Sequence, residues 1–525
     1  LANHPRFLNL FDRSQTPSTS ELQASESVTL PKTEWTILLG IAAIIALIHM
    51  ATNGRYGFHR DELQFLSEAK HLDWGTVAFP PFTPLMERIG LELFGLSMVG
   101  LRLFSVLSQA AVIVLTGLMA RELGGGRLAQ FTAALSMALA PMALFNGTEF
   151  QYGTFDYLWW ALVALFTIRL LRTENPRWWL AIGAAIGMGL ETKYTILFVT
   201  FALLCGLVFN PARRLLWNRW FALGVAIALV IFLPNLLWQI HHDFISYQFL
   251  HSIHLRDIRL GRGDRLTFLQ KQFLMCANLF AAPLWIGGLV CYLRSPRYRP
   301  LAWMYLIPAA YFISVQGVFY YLAPAYPMLI AMGAFEGEQW VARLSKLWRW
   351  VVKIFFFQGI LCYGCAMGAA IVPLADSGPL MRNALDKNDA LREEIGWTEL
   401  VRTVAAIRDS LTADEQAHLG IVVGNYGEAG AIEMLGAAYQ LPPPISSVNS
   451  FWYRGYPTPA PTTIILLGNS RERADELFTN CRLAGQNGNP AVVKNEESEW
   501  HPDIFVCGPP RLPWQELWRK VRDFG

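Results

Sequence analysis

The stretch YGFHRDELQFLSEAKHLDWGTVAFPPFTPLMERIGLE, residues 56–92, decides how the chain is read. It is acidic, carries His59 and Arg60, and is broken by Pro80, Pro81 and Pro84. Long apolar runs flank it. If those runs cross a bilayer, Asp61 and Glu62 stand at the membrane surface and face a single compartment.

Composition supports spans. Of 525 residues, 53% are hydrophobic and 16% charged, against about 25% charged in an average soluble chain. The net charge of +3 comes with no basic stripe interleaved with aromatics, which argues against nucleic acid as a partner. Residues 1–34 are polar and aperiodic and read as a disordered cytoplasmic leader. The apolar run that follows lacks a small-residue cleavage site and reads as a retained first span.

Segments near the roughly 20 residues needed to cross a bilayer recur at 35–52, 101–120, 128–146, 157–172, 178–191, 194–210, 219–238, 270–292, 301–316, 319–335 and 349–373. The sequence therefore predicts a mainly α, polytopic membrane protein of about eleven spans over 35–373, with a first outer loop at 53–100. Orientation follows from charge, because short cytoplasmic loops are rich in Lys and Arg. Arg121 and Arg127; Arg169, Arg172 and Arg177; Arg213, Arg214 and Arg219; Arg294, Arg297 and Arg299; and Arg343, Lys346 and Arg349 fall in alternate connections. The 53–100 loop, the 239–268 loop and everything after 373 are thereby expected outside, in the periplasm of a bacterium.

One outward loop breaks the trend. Residues 239–268 hold Arg256, Arg259, Arg262 and Arg265. They read either as a solvated amphipathic helix on anionic headgroups or as a cationic wall for a lipid-borne phosphate.

From 374 to 525 short β-rich and helical stretches alternate: LGIVVGN then EAGAIEMLGAAY, TTIILLGN then RERADELF, DIFVCG then PWQELWRKV. This order predicts a small α/β domain with a largely parallel sheet. GNYGEAG (424–430) matches no phosphate-loop spacing and reads as a strand-to-helix turn. A disulfide between Cys481 and Cys507 suits an extracytoplasmic domain. Cys362 and Cys365 lie in an apolar run, where cysteine acts as a small hydrophobe.

Asp61 suits the N-cap of a helix running to about His71, with Gln64 reaching back as in a capping box. Phe65, Ala69 and Leu72 would then form one apolar face against the membrane surface. Glu62 lies about 100° further round, so the two carboxylates do not form a close pair. Asp156 opens a span after TEFQYGTFD, where Glu149 precedes it; Lys193 sits in the outward turn LETKYT; Tyr320 and Tyr321 begin another span at its outer end. Each has a plain role as cap, snorkelling cation or interface aromatic. Their common depth predicts a shared polar site.

The segment HRDELQFLSEAKHLDWGTVAFPPFTPLMERI, with GLRLFSVL, ARELGGGRLAQ, TFDYLWW, GLETKYT, YYLAPAYP and GNYGEAGAIEMLG, resembles the bacterial integral-membrane glycosyltransferases of family 39, the dolichyl-phosphate-mannose protein mannosyltransferase-like group of the GT-C superfamily. The resemblance implies a GT-C fold, a polyprenyl-phosphate sugar donor, a lipid, glycan or protein acceptor, and inversion at the anomeric carbon. It implies Asp61 as catalytic base, Asp156 as a second acidic residue, and Lys193 and Tyr321 at the donor phosphate. Glu62, Arg256, Arg259 and Tyr320 complete the expected substrate-binding set. Related aminoarabinose transferases carry Arg where this chain has Gln64, and Glu-Lys where it has Ala78-Phe79. Many relatives carry Lys just before the Tyr pair, where this chain reads Gly317-Val318-Phe319. Some relatives hold a divalent metal ion, for which His59, His241 and His242 are the candidate ligands here. A lipid-linked sugar transporter or flippase, the alternative, predicts mid-span ionisable residues and an internal repeat, and neither stands out. A membrane scaffold leaves the gathering of outer charges unexplained.

Overall fold

The computed structural model describes residues 30–524; the leader expected over 1–34 falls almost wholly outside that range. The described chain opens with α1 (Trp35–Thr52), then α2 (Arg60–Lys70) and α3 (Phe82–Phe94), which build the first polar loop. The bundle follows: α4 (Met98–Glu122), α5 (Arg127–Ala138), α6 (Pro141–Thr148), α7 (Tyr152–Thr173), α8 (Trp178–Leu190), α9 (Ile196–Val208) and α10 (Arg219–His241). It continues through α11 (Ile245–Arg259), α12 (Arg265–Lys271), α13 (Ala282–Arg294), α14 (Arg299–Ser314), α15 (Tyr326–Arg343) and α16 (Lys346–Ile371).

Helix covers each of the eleven predicted stretches. Among the described residues, five helices, α1, α4, α7, α10 and α16, are long and apolar enough to cross a membrane alone. Two further candidates are broken: α5 and α6 bend by 59°, and 265–276 and 279–294 by 95°. Pro141 begins α6, where its missing N–H costs nothing, and this places the first bend. α8 and α9 are shorter apolar helices.

With no hydrophobic drive between helices in lipid, close packing of small residues holds such a bundle together. α13 and α15 cross at paired glycines: a Cβ on Gly288 would lie 2.0 Å from the Leu329 carbonyl oxygen, and one on Gly333 would lie 1.9 Å from that of Leu284. α8 and α10 meet likewise through Gly183 and Gly224.

The two ends of the bundle differ in charge. At one end, Arg121, Arg169 and Arg172 from two connections converge on buried Glu122, and Arg214 reaches Glu174. At the other, the first loop is stitched to the remaining connections: Asn53 donates to the Gly147 carbonyl, Phe82 N–H to that of Glu191, and Asn235 to that of Trp74. The basic loops thus cluster away from Asp61.

The C-terminal domain sits on the first loop. Helices α17 (Gly378–Lys387), α18 (Asp389–Arg392), α19 (Trp397–Asp409) and α20 (Ala413–Ala417) precede its sheet. Strands β1 (Leu419–Val423), β2 (Pro444–Ser446), β3 (Thr463–Leu466), β4 (Arg482–Gln486) and β5 (Asp503–Cys507) pair in the order β2-β1-β3-β5-β4. β1 is parallel to β2 and β3, but β5 runs antiparallel to both β3 and β4, so the sheet is mixed rather than largely parallel. Parallel pairing needs a crossover of a dozen or more residues, usually an apolar helix. The link from β4 to β5 carries only the short helix Glu496–Glu499, and β5 returns antiparallel between β3 and β4. Cys481 and Cys507 are disulfide-bonded.

Adding one methyl group at the α13–α15 crossing is expected to lower stability by about 1–3 kcal/mol, because backbone cannot yield there as a side chain does. Gly333→Ala should lower the thermal midpoint in detergent, while Gly337→Ala, whose Cβ would meet only Leu284 Cδ2 at 3.7 Å, should leave it unchanged. Equal midpoints for the two variants would refute the packing account.

Candidate active site

α2 carries the site, and its start sets which way the acids point. His59, not Asp61, is the N-cap: its Nδ1 accepts the Asp61 N–H at 3.1 Å, and Glu62 reaches back to accept the His59 N–H at 2.8 Å. An imidazole nitrogen can serve as the capping acceptor, which moves the helix start two residues earlier and puts Glu62, instead of Gln64, at the third helical position. Since Nδ1 accepts, it carries no proton, and its 3.9 Å approach to Asp61 Oδ2 is not an ion pair. Burial also pushes the His59 imidazole below its ordinary range, against the pull of Asp61 and Glu62.

α2 does not lie with one face on the membrane surface. Leu63, Phe65, Leu66 and Ala69 are all fully buried, while Leu72 is exposed. The helix is clasped on its far side by α21 (Tyr426–Leu435) of the C-terminal domain. A Cβ on Gly430 would stand 2.4 Å from the Leu63 carbonyl oxygen, and one on Gly427 would stand 3.0 Å from Arg60 Cβ. The glycines of GNYGEAG therefore permit helix-on-helix contact. Asn425 and Glu428 form a capping box there, as a strand-to-helix turn requires.

The two adjacent carboxylates diverge. Glu62 turns inward to Arg102 on α4: Nε donates to Oε1 at 2.8 Å and Nη2 to Oε2 at 2.7 Å. Glu62 Oε1 also accepts the Phe150 N–H at 2.7 Å, so both oxygens are spent within the protein. Arg102, only 1% exposed, donates further to the carbonyls of Asn53 and Gly57 and lies 3.3 Å from Glu394 of the C-terminal domain. Asp61 turns outward with 32% of its side chain exposed. Its Oδ1 accepts the Tyr426 hydroxyl at 2.9 Å.

Most of the other expected residues gather nearby. Lys193 Nζ lies 4.7 Å from the ring centroid of Tyr152, 4.6 Å from that of Tyr321 and 5.4 Å from that of Tyr320. The charge of Asp61 reaches Tyr152 and Tyr320. Asp156 is buried and accepts the Thr195 hydroxyl at 2.9 Å, two residues beyond Lys193. Burial pulls the Lys193 ammonium down to about 8, and Asp156 opposes that shift. Arg256 is half-buried near Tyr321. Arg259 is exposed in the last turn of α11 and stands apart.

Phe79, at one of the departures from relatives, stacks on Tyr152 at 5.8 Å and touches Phe65 at 4.6 Å. An aromatic floor replaces the cation there. Gln64, at another, is buried with an unpartnered amide nitrogen.

Among the described residues no three His, Cys, Asp or Glu side chains are grouped to hold a metal ion. His59 spends Nδ1 on the helix cap, and His242 places Nδ1 2.8 Å from the Trp238 carbonyl while stacking on that indole. The donor set does not fit a metal centre.

The sequence patterns above do not single out Tyr426, Tyr152, Glu394 or Arg102. Tyr152 lies in the quoted loop TEFQYGTFD, so its place was open to inspection. Tyr426 and Glu394 come from a domain more than 300 residues away in sequence, and no local pattern marks them.

A family model described as dolichyl-phosphate-mannose-protein mannosyltransferase matches residues 79–238. The lipid A galacturonosyltransferase RgtD of Rhizobium johnstonii is 26% identical over 393 residues, covering 73% of this chain and 79% of that protein. An undecaprenyl phosphate-alpha-4-amino-4-deoxy-L-arabinose arabinosyl transferase of Pseudomonas paraeruginosa is 28% identical over 348 residues, covering 59% of this chain and 60% of its own length. The crystal structure of ArnT from Cupriavidus metallidurans in the apo state shares the fold at a TM-score of 0.57 and 15% identity, over 90% of this chain and 98% of that one.

The acids at the junction make a pH prediction. Burial raises the Glu394 carboxyl to about 8 against the pull of Arg102, and raises Glu428 to about 7 against its backbone N–H donors. Both lie above the ordinary 4.5, so between those values the folded state keeps protons that the unfolded state has lost. Stability is then full below about pH 4.5 and falls as pH rises toward 8. Protease sensitivity of the C-terminal domain should rise over that window, and Glu394→Gln should flatten the rise. Arg102→Met, which strands buried carboxylates, should cost about 3–5 kcal/mol. A pH-independent junction would contradict the assignment.

Over residues 79–238 the chain is similar to the dolichyl-phosphate-mannose-protein mannosyltransferase family, over 59–73% of its length to lipid A and aminoarabinose glycosyltransferases, and in fold to ArnT.

Proposed function

We propose that this membrane enzyme moves a sugar from a polyprenyl-phosphate donor to an acceptor, with inversion, and with Asp61 as the general base. The observation that carries the reading is one open carboxylate beside one caged ammonium. Asp61 Oδ1 is occupied by Tyr426 and Oδ2 has no donor facing it among the described residues, while Lys193 sits among three tyrosine rings.

A phosphate leaves readily when a cation meets its charge, so the chemistry asks for a base on one side of the anomeric carbon and positive charge on the other. The acceptor O–H or N–H gives its proton to Asp61 Oδ2. Its oxygen or nitrogen bonds the anomeric carbon as the bond to the phosphate oxygen breaks, and one displacement inverts the centre. Lys193, with Tyr320 and Tyr321 as hydroxyl donors and Arg256 behind them, takes the phosphate. Asp156 holds Lys193 charged and Thr195 holds Asp156. Arg259 meets lipid phosphate at the rim. Glu62 serves the site through Arg102 by fixing the rotation of α2. A positioned base contributes about 10²–10⁴ in rate.

The donor class is supported by the aminoarabinosyl relatives, whose names carry undecaprenyl phosphate, and by an ArnT of the same fold bound to that lipid. The lipid A galacturonosyltransferase supports a lipid acceptor. We place residues 35–373 in the bacterial cytoplasmic membrane as the catalytic domain and residues 374–525 in the periplasm. The basic loops gathered at the opposite end and the Cys481–Cys507 disulfide support that orientation.

Purified protein in vesicles, given a panel of polyprenyl-phosphate sugars, tests the base. Asp61→Asn should lower kcat by about a hundredfold or more and leave donor binding intact. Sugar release equal to the native enzyme would remove Asp61 from the role. Lys193 makes a separate prediction. As its ammonium titrates near 8, kcat/KM should fall as pH rises above that value, since this ratio reports the free enzyme. Lys193→Arg should keep the high-pH activity; an identical fall in the variant would exclude Lys193 as its source.

A further inference from the structure

We infer that the C-terminal domain supplies a positioning residue to the reaction centre: Tyr426 holds one oxygen of Asp61, leaving the other as the sole proton acceptor. The inference rests on the reading of Asp61 as the base.

The hydroxyl of Tyr426 donates to Oδ1 at 2.9 Å across 365 residues of sequence. The ring itself is clamped. The Arg60 guanidinium carbon stands 4.7 Å above its centroid, and Arg60 in turn pairs with Glu496 of the same domain. The helix that carries the tyrosine cannot drift. Its start is fixed by the Asn425–Glu428 capping box, and Gly430 brings its backbone against the Leu63 carbonyl of α2. Burial raises the phenol well above its ordinary range, so it stays a neutral donor.

The other oxygen has a different neighbour. Oδ2 faces His59 Nδ1 at 3.9 Å, and that nitrogen's lone pair is committed to the Asp61 N–H. The charged and titratable groups around the carboxylate are therefore His59, Arg60, Tyr426, Glu149, Tyr152 and Tyr320. Of these, Tyr426 alone donates a hydrogen bond to it among the described residues. Without that bond, the side chain rotates about its two torsions and presents either oxygen at varying angles. With it, the acceptor meets one lone pair in one direction. Tyr426 keeps its proton throughout; the proton taken from the acceptor goes to Oδ2.

Tyr426→Phe keeps the ring under Arg60 and removes only the hydroxyl. In the vesicle assay with the full chain, kcat should fall between about tenfold and a hundredfold, the scale of a lost hydrogen bond to a charged group at a reacting centre. KM for the polyprenyl-phosphate sugar and the thermal midpoint should stay at native values, which a purely structural tyrosine would not allow. Adding Tyr426→Phe to Asp61→Asn should cause no further loss. A native kcat in Tyr426→Phe, or a loss that appears in KM and the thermal midpoint together, would overturn the inference while leaving the base in place. Native activity in Asp61→Asn would overturn the base itself.

Discussion

The site depends on one buried cation. Arg102 is planar, permanently charged and removed from water, and it meets Glu62 through two parallel hydrogen bonds. Its remaining donors go to the carbonyls of Asn53 and Gly57, and Glu394 approaches from the C-terminal domain. Through this single group, a spanning helix, the first polar loop and the appended domain are held in one geometry. Burying such a pair is costly, and the return is positional: the angle of α2 about its own axis is fixed.

That angle is what separates the two neighbouring acids. Successive residues on a helix differ by about 100°, so once Glu62 is pinned inward, Asp61 must face the open side. Carboxylates outnumber cations at this junction: Glu87 and Glu149 are also buried, and burial pushes both carboxyls well above the ordinary range. Arg102 compensates one full charge. Burial disfavours the charged forms of Glu87 and Glu149, and Arg102 opposes that shift in both.

Much of this was legible from residue order. Apolar runs marked the helices, alternate basic loops marked the ends of the bundle, and the 100° rule separated Asp61 from Glu62. β1, β3 and β5 fell where period and turn residues put them. The misreadings share a physical cause. Aspartate is a preferred capping residue, which points to Asp61 as the cap, yet the imidazole of His59 performs that role. The apolar stripe of α2 predicts a surface helix, whereas its second side is covered by α21. Tyr426 acts on a residue 365 positions away and Glu394 on Arg102 in a distant helix, and such contacts leave no local periodicity.

Phe79 brings an aromatic face to the cluster around Lys193. Where relatives place Glu-Lys, Phe79 stacks on Tyr152, and Tyr152 is one of the three rings around Lys193. An aromatic face attracts a cation with about 0.5–2 kcal/mol, more as water is excluded, and it does so without neutralising the charge. A carboxylate in the same place would bind Lys193 more tightly and leave less of its field for a phosphate. The aromatic floor therefore holds one ammonium in position while keeping it electrically available.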